Sequence, residues 1–476
     1  MPWLIIGGLL LILIAVILIR TALFKPAKET EEAPAAVEFD KDRAVSNLQA
    51  LIRCKTVSNY DPALENDAEF EKLIGLLPTL YPTVFEKLEF NRFPNRGLLF
   101  HWKGKNPGDP AVMMAHYDVV PVNEELWKKP PFEAIIEDGV LWGRGALDTK
   151  VTFNGVLTAA EHLLAKGFTP EFDMYFAFSG GEEVSGPGAV GIVKYFQEQG
   201  ITPSIVVDEG GAVVRDIFPG VKESCGLIGI AEKGMMDLTL KASSAGGHAS
   251  APRPGAPVDR LSRACCAILD HPMKANLTPP VAYMFDTLGR RSTFAYRMIF
   301  ANLWLFKPVL NMICTKSGGE MNALMRTTNA FTMMNGSKAR NVIPPEATMA
   351  INVRINPADS QEKVIAHFKK VINDPNVEII RNDGVEPSRI STVECDSWKK
   401  MVSAVSATWG CVVSPYLMVQ CSDSRHYGPI SDKVFRFSAM DLEGDERSTI
   451  HGNNERIRLE TVHRAVEFYI RLMSQF

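Results

Sequence analysis

The sequence predicts an α/β protein whose mixed, mostly parallel sheet is interrupted by an inserted α+β domain and preceded by a transmembrane helix. Strands alternate with helices between residues 110 and 215, which is typical of a parallel sheet with helical crossovers. At Gly234 the pattern changes to strands of alternating polar and apolar residues, which is typical of antiparallel pairing. Residues 3–19 form an uninterrupted apolar run.

Length and composition limit the class of protein. A chain of 476 residues, 46% hydrophobic and 22% charged, is long enough for about two to four globular domains. The net charge of −4 and the lack of a basic stripe argue against a nucleic-acid partner. Eight cysteines without a C-x-x-C pair predict neither a disulfide scaffold nor a zinc ribbon, and they leave the redox compartment open.

The N-terminal apolar run, WLIIGGLLLILIAVILI, ends at Arg20. At about 1.5 Å per residue it is just long enough to cross a bilayer core of about 30 Å. A cleaved signal peptide is the alternative. No Lys or Arg precedes the run and no small-x-small cleavage site follows it, so the sequence favours an uncleaved anchor at residues 1–24.

A predicted linker follows at residues 25–40, which are charged, rich in Ala and Pro, and aperiodic. Arg20, Lys25 and Lys28 lie directly after the apolar run. By the positive-inside rule these charges would place the rest of the chain in the cytoplasm.

The main domain is predicted in two parts, residues 41–233 and 386–476. Its helical patterns begin near Asp40 and lie at 66–80, 152–166 and 188–199, with strands at 84–90 and 97–102.

The inserted domain is predicted at residues 234–385. Strands at its start, 326–334, 346–355 and 376–381, and helices at 257–270 and 360–373, give the β-α-β-β-α-β order of ferredoxin-like domains. It also contains an apolar stretch at 294–314, in which Arg297 and Lys307 make a second membrane span improbable. A buried helix pair and an apolar lid over an apolar substrate are both compatible with this stretch.

Acidic and histidine side chains follow three apolar runs: His116 and Asp118, then Asp148, then the pair Glu182 and Glu183. Each carboxylate alone is typical of a solvated loop. Together, at the ends of predicted buried strands, they indicate a metal site, because carboxylate oxygen and imidazole nitrogen bind zinc and harder divalent cations. Asp118 could orient His116 through its second nitrogen, or it could cap a turn before Val119.

An ordered set of motifs gives a family resemblance. It comprises MMAHYDVVPV, GRGALDTK, YFAFSGGEEVSG, SAGGHASAP at 244–252, NVIPPEATMAINVRI at 341–355 and IHGNNERI at 450–457. Over roughly residues 40–476 the chain resembles metallopeptidase family M20, and within it the carboxypeptidase S and N-fatty-acyl-amino-acid synthase/hydrolase branch. The resemblance implies a catalytic domain in two parts around an inserted lid or dimerisation domain. It also implies an extracytoplasmic catalytic domain, whereas the positive-inside rule predicts a cytoplasmic one.

The resemblance implies five ligands for two zinc ions. His116 and a carboxylate at the end of SIVVDEGG would bind one zinc ion, Glu183 and His451 the other, and Asp148 would bridge them. Both Asp208 and Glu209 end that strand; spacing in the branch favours Glu209. Glu182 is then the candidate general base, which takes a proton from metal-activated water and passes it to the leaving amine.

Four further residues are candidates for contact with the substrate. His248 lies in a Gly-rich loop, where histidine is often a turn residue, but the resemblance implies that it stabilises an oxyanion, often in the partner subunit. Asn341 and Arg354 lie in a motif that contacts substrate in the family. Arg354 and Arg425 could each bind a free carboxylate or form an ordinary salt bridge.

These predictions describe a membrane-anchored dizinc amidohydrolase. It would release the C-terminal residue of a short peptide or cleave an N-acyl amino acid, and the inserted domain is a candidate surface for a homodimer. A dizinc aminopeptidase is one alternative, although those relatives usually lack the inserted domain. A catalytically inactive binding ectodomain is the other.

Overall fold

The structure is a computed structural model that describes residues 2–26 and 35–476. It begins with helix α1 (Pro2–Leu23), the only helix in the described residues that is by itself long and apolar enough to cross a membrane. A helix at this position fits a span or a signal sequence. Of the predicted linker, residues 27–34 lie outside the described residues.

Up to residue 233 the described part of the chain supplies five helices after α1 and eight strands. They are α2 (Lys41–Ile52), α3 (Asp67–Leu80), α4 (Pro82–Lys87), β1 (Glu89–Phe93), β2 (Gly97–Trp102), β3 (Ala111–His116), β4 (Ile135–Glu137), β5 (Val140–Trp142), α5 (Lys150–Ala165), β6 (Met174–Ser179), α6 (Gly188–Glu198), β7 (Ile205–Val214) and β8 (Cys225–Glu232).

The strand predicted at 84–90 is wrong, because most of it belongs to helix α4. Pro82 occupies the first helical turn, where its fixed φ suits a helix. The carboxylate of Glu161 accepts the N–H groups of Thr83 and Val84, so a distant residue satisfies the start of this helix.

The rest of the chain contains a second sheet and returns to the first. Its elements are β9 (Gly234–Ser243), β10 (Gly247–His248), α7 (Pro257–Asp270), α8 (Pro279–Gly289), α9 (Phe294–Ala301), α10 (Leu303–Ser317), α11 (Gly319–Met325), β11 (Thr328–Asn335), β12 (Val342–Ile343), β13 (Glu346–Ile355), α12 (Gln361–Ile372), β14 (Val377–Val385), α13 (Asp396–Trp409), β15 (Val412–Met418), β16 (Val434–Leu442), α14 (Glu446–Thr449), β17 (Arg456–Arg458) and α15 (Leu459–Met473).

The main sheet has eight strands in the order β1-β2-β6-β3-β7-β16-β8-β15. The β6–β3, β3–β7, β7–β16 and β8–β15 pairs are parallel, whereas β1–β2, β2–β6 and β16–β8 are antiparallel. This confirms the predicted mixed α/β sheet. Helices α2, α5 and α15 cover one face with a large apolar core.

The second sheet has four antiparallel strands in the order β11-β13-β9-β14. Helices α7 and α12 pack their apolar sides against it, which completes the ferredoxin-like order. The predicted domain boundaries, and the role of this part as a lid or dimerisation domain, stay predictions.

Four helices, α8 to α11, lie between α7 and β11 in the chain but do not cover the second sheet. Their buried side chains, among them Phe285 and Leu310, share an apolar cluster with Leu417 and Met418 of β15. The stretch at 294–314 therefore forms a helix pair on the main sheet's side, with a bend of 113° between α9 and α10.

Candidate metal centre

The candidate ligands meet at one edge of the main sheet because neighbouring parallel strands end there. His116 is the last residue of β3 and pairs with Ser179, the last residue of β6. A short 3-10 turn, Glu182–Val184, follows β6, and Glu209 lies on β7 beside β3. The sheet order thus brings together residues that are far apart in sequence.

Asp148 lies at the middle of the cluster. Its Oδ1 is 3.0 Å from Nε2 of His116, and its Oδ2 is 3.0 Å from Nε2 of His451. His116 Nε2 is also 3.4 Å from Glu209 Oε2, and His451 Nε2 is 3.0 Å from Glu183 Oε2. The five candidate ligands therefore form two groups that share the Asp148 carboxylate.

The two acidic residues on β7 point in opposite directions, as alternation along a strand requires. Glu209 faces His116, whereas Asp208 is buried on the other side and accepts the N–H of Ser424 at 2.9 Å. Geometry thus favours Glu209 over Asp208 as a member of the cluster.

Asp118 is fully buried and holds the turn that carries the two glutamates. Its carboxylate oxygens accept the N–H groups of Glu182 at 3.1 Å and Glu183 at 3.2 Å, and the hydroxyl of Ser58 at 2.7 Å. The Nδ1 of His116 lies 3.1 Å from the Asp118 carbonyl oxygen and 3.4 Å from its carboxylate. Asp118 therefore both caps a turn and borders the second nitrogen of His116.

A buried ion pair that the sequence reasoning missed positions Asp148. Glu455 is fully buried; one of its oxygens accepts the N–H groups of Leu147 and Asp148, and the other accepts Gly145 N–H and Arg144 Nη1 at 2.7 Å. Glu455 lies inside the motif IHGNNERI, and Arg144 inside GRGALDTK. Their position inside these two motifs was the one sequence feature that pointed to a role at the site.

The carboxylates influence one another because they are buried together. Burial, with the charge of Glu209, raises the pKa of Glu182 well above its usual value, and burial raises the pKa of Glu209 to about 8. Burial opposes ionisation of Asp148, yet hydrogen bonds with His116 and His451 hold its pKa below the usual value. Hydrogen bonds with Asp148 and Glu183 raise the pKa of His451 to about 10. The cluster therefore contains more carboxyl groups than imidazole groups, since only His116 and His451 supply imidazoles.

The donor set fits metal ions. Oε1 of Glu183 is buried and has no hydrogen-bond partner among the described residues, which is costly for a carboxylate unless a cation satisfies it. Ligand atoms of His116, Asp148 and Glu183 lie within 4.8 Å of one another. A second set within that distance comprises His116, Glu182 and Glu209, so Glu182 is close enough to act as a ligand or as a base.

A cavity of about 370 Å³ opens over the cluster. Asp148, Glu183, Glu209 and His451 form its polar side. Further polar groups come from Glu182, Gln420, Ser438 and Arg447, and the apolar lining comes from Ala212, Met418, Met440, Leu442 and Ile450. The cavity can therefore take a molecule with one polar and one apolar part.

Two of the candidate substrate-binding residues lie near this cavity. Arg354, on β13 of the second sheet, donates from Nη1 to the Sγ of Cys421, which lines the cavity. Arg425 has a buried Nε without a hydrogen-bond partner among the described residues. Beside it, burial raises the pKa of Asp423 to about 7, and its Oδ1 is also unpartnered in the described chain. Asp423 is a polar group of the site that sequence reasoning missed.

The structure does not bring His248 and Asn341 to the cluster. His248 is exposed on β10, which pairs with β12, and it lines a separate cavity of about 550 Å³ in the second-sheet part of the chain. The main-chain carbonyl oxygen of Asn341 accepts the N–H of Ala249 beside the same strand pair. The N–H of Ser250 donates to Nδ1 of His248, so a neutral His248 carries its proton on Nε2.

Comparison with known proteins gives matches along almost the whole chain. The model of "Peptidase family M20/M25/M40" matches residues 112–475. A probable carboxypeptidase S-like 2 of Dictyostelium discoideum is 33% identical, with 99% of this chain and 93% of that one covered. An N-fatty-acyl-amino acid synthase/hydrolase of Xenopus tropicalis is 32% identical, with 98% and 93% covered.

Solved structures show the same fold. The M20 family metallo-carboxypeptidase Sso-CP2 from Sulfolobus solfataricus superimposes with a TM-score of 0.66 at 19% identity, over 90% of this chain and 98% of that one. A dinuclear metal binding M20 peptidase of Bacillus subtilis has a TM-score of 0.56 at 13% identity, over 92% and 99%. The extent of the family match and the carboxypeptidase and hydrolase relatives lead to one conclusion. The chain belongs to peptidase family M20/M25/M40, a metal-dependent family, and is a hydrolase.

Proposed function

We propose that this hydrolase uses two zinc ions to cleave the amide bond of an N-acyl amino acid or a short peptide with a free carboxylate. The single observation that carries the proposal is the position of Asp148, whose two oxygens each contact a different histidine. A carboxylate in this position can bridge two metal ions about 3.5–4 Å apart, as in two-metal hydrolases.

The donor groups divide between two sites. His116 and Glu209 would hold one ion, Glu183 and His451 the other, and Asp148 both. Imidazole and carboxylate donors without a thiolate suit zinc in a catalytic site. When bound, the ions supply a Lewis acid for the substrate carbonyl and lower the pKa of water at the site.

Glu182 is the proposed proton carrier. It lies beside the first donor group, and burial together with the charge of Glu209 raises the pKa of its carboxyl group. A raised pKa suits a general base, because it strengthens the affinity of the carboxylate for the proton of the attacking water. Glu182 then gives this proton to the departing amine nitrogen. Asp118 fixes the main chain of the same turn, so Glu182 does not have to be positioned during the reaction.

The apolar side of the cavity favours an N-acyl substrate over a polar peptide. Met418, Met440, Leu442 and Ile450 offer apolar surface to an acyl chain, and burial of each methylene contributes about 0.8 kcal/mol. The Xenopus tropicalis relative is named for N-fatty-acyl amino acids. Arg354 and Arg425 are the candidates for the substrate carboxylate, since a guanidinium group binds both of its oxygens.

The proposal also includes a membrane anchor, an extracytoplasmic catalytic domain and a homodimer through the second-sheet part of the chain. Helix α1 has the length and apolar character of a span. His248 and Asn341 lie outside the metal centre of their own chain, and a partner subunit would bring them to it.

The test is a substrate panel with purified full-length protein after zinc is restored. We expect hydrolysis of N-acyl amino acids, with kcat/KM rising with acyl chain length until the cavity is filled. The matched control is the same compound with its carboxylate converted to an amide, which should be a poor substrate. Preference for peptides with a free amino terminus would show an aminopeptidase instead. A protein that binds no zinc and hydrolyses none of the panel would be a binding ectodomain.

A further inference from the structure

The outer surface of helices α9 and α10 is apolar where a globular protein usually carries polar residues. Its members, here called the α9–α10 apolar face, are all at least 42% exposed; they are Phe294, Tyr296, Trp304, Val309, Met312 and Ile313. An amphipathic surface helix normally directs charged or polar side chains outward. A continuous exposed apolar area on a folded protein usually marks a binding surface.

The opposite side of the same helices is well packed. Phe300, Leu310 and Cys314 are buried in the apolar cluster that includes β15 of the main sheet. The pair is therefore firmly attached to the body of the enzyme, and its outer face is exposed among the described residues.

Helix α1 is joined to this pair by specific contacts. The guanidinium group of Arg20 donates two hydrogen bonds to the carbonyl oxygen of Ala301, at 3.2 and 3.1 Å. At the break between α9 and α10, Asn302 Nδ2 lies 3.3 Å from both the Ile17 carbonyl oxygen and the Thr21 hydroxyl. These contacts fix the height of the helix pair along α1.

In a bilayer that α1 crosses, that height would correspond to the boundary between head groups and acyl chains. Ile17 lies six residues before Leu23, the end of α1, which at 1.5 Å per residue is about 9 Å. Helices that lie in the plane of a membrane sit about 5–10 Å into this boundary. The other sides of α1 are exposed and apolar, with Leu9, Ile12 and Ile19 about 60% exposed. A bilayer that surrounds α1 up to its last turn therefore also reaches the break between α9 and α10.

The side chains suit a lipid surface better than a protein partner. Trp304 and Tyr296 are residue types enriched at membrane interfaces, where the ring lies among lipids and the polar atom faces water. Lys307 and Lys316 are exposed on α10 and can extend to lipid phosphates along their methylene stems. The exposed side of the pair thus combines apolar and aromatic side chains with lysines that can reach the head groups.

We propose that the α9–α10 apolar face is embedded in the lipid bilayer beside α1, as a second, in-plane membrane contact. The enzyme is then held against the membrane in one orientation, whereas a single helix and a linker would leave it free to turn. The proposal depends on the anchor role of α1 but not on the metal chemistry or the substrate.

The first test uses full-length protein in phosphatidylcholine–phosphatidylserine vesicles that contain a lipid with a photoreactive acyl chain. After illumination, proteolysis and mass spectrometry should find lipid adducts on peptides from α1 and from residues 294–316. Leu126 and Met333, which are 59% and 63% exposed elsewhere, serve as controls and should carry none. Adducts confined to α1 would overturn the proposal, as would a mature chain that begins after Leu23.

The second test is a pair of matched variants. The double variant Trp304→Glu, Met312→Glu should lose adducts from residues 294–316 while those on α1 remain, because two charges make insertion of this face costly. Leu126→Glu, at a similarly exposed apolar position, should leave the pattern unchanged. Hydrolysis by both variants in detergent shows that they are folded. Unlabelled α9–α10 peptides, together with cross-links between Lys307 residues of two chains, would assign the face to a second copy of the chain and refute the proposal.

Discussion

The cluster around Asp148 and the β10–β12 strand pair around His248 differ in what positions their side chains. In the cluster, the strand order of the main sheet brings the donors to one edge, and buried groups such as Asp118 and Glu455 fix the loops that carry them. In the β10–β12 pair, two short strands that are distant in sequence and a contact with Ser250 hold an exposed imidazole away from the cluster. A single chain thus brings all five candidate metal ligands together, but it does not bring His248 to a site on which the imidazole could act.

The two regions should therefore respond differently to substitution. The position of a donor in the cluster follows from its own fold, so a substitution there should act on metal binding in every chain independently. The proposed role of His248 requires a second subunit, so the effect of replacing it should change with assembly. The following substitutions test this division.

The largest effect is expected from Asp148→Ala, which removes the carboxylate shared by both donor groups. We expect loss of most bound metal, measured by elemental analysis, and hydrolysis below detection. Asp208→Asn is the matched control on β7, because Asp208 faces away from His116 and its replacement should leave metal content unchanged. Two bound metal ions in the Asp148→Ala protein would refute the bridging assignment. Metal loss in Asp208→Asn would make Asp208, and not Glu209, the ligand from β7.

The next largest effect concerns Glu182, which lies close enough to the cluster to be a ligand. Glu182→Gln keeps the size of the side chain but cannot accept a proton. We expect kcat to fall by about 10²- to 10⁴-fold, the range for general acid–base catalysis, with metal content near that of the wild type. Glu183→Gln is the control, and it should lose metal as well as activity. The reverse pattern would mean that the two glutamates exchange roles.

The sequence was sufficient for the elements whose patterns are local. It predicted the mixed sheet, the ferredoxin-like order and helix 257–270, because apolar periodicity and turn residues mark these elements directly. It failed at 84–90, where Glu161 caps a helix from a distant part of the chain. It also gave no account of Glu455 or Asp423, because burial of a carboxylate depends on packing that no local pattern reports.

For the candidate site, the sequence identified residues but not all of their contacts. Apolar runs that end in acidic residues indicated His116, Asp148 and Glu183, and the structure brings these three together. Alternation along β7 could not tell Asp208 from Glu209 until the position of β3 was known. The roles of these residues are predictions, which the substitutions at Asp148, Glu183 and Asp208 test.

A smaller effect is expected from His248→Ala, because the imidazole would act only on the transition state. We expect kcat to fall by about 10²- to 10³-fold, the usual loss for one oxyanion donor, with metal content unchanged. Lowered metal content in this variant would contradict the separation of the two regions.

Mixing subunits tests whether His248 acts in a partner. His248→Ala and Glu182→Gln are each expected to be nearly inactive, but a hybrid dimer would combine an intact Glu182 from one chain with an intact His248 from the other. Activity should therefore return on mixing. Mass spectrometry of differently tagged subunits confirms exchange. Exchange without recovered activity would show that His248 does not act across a dimer.

The smallest effect should come from Glu455→Gln, which leaves every candidate ligand in place and changes only the group that holds the Asp148 loop. The amide cannot accept all four hydrogen bonds that the carboxylate accepts, and it leaves Arg144 as an unpaired buried charge. Such a loss destabilises a protein by about 3–5 kcal/mol, and loss of a group that orients a ligand weakens metal binding by about 10- to 100-fold. Glu232→Gln separates these two effects, because it breaks the equally buried pair with Arg436, whose side chain makes no hydrogen bond or ion pair to the five candidate ligands among the described residues. Both variants should have a lower free energy of unfolding, but only Glu455→Gln should need more zinc to half-saturate its sites. Equal zinc affinities would mean that the strands alone position Asp148, and that Glu455 stabilises the fold without shaping the metal centre.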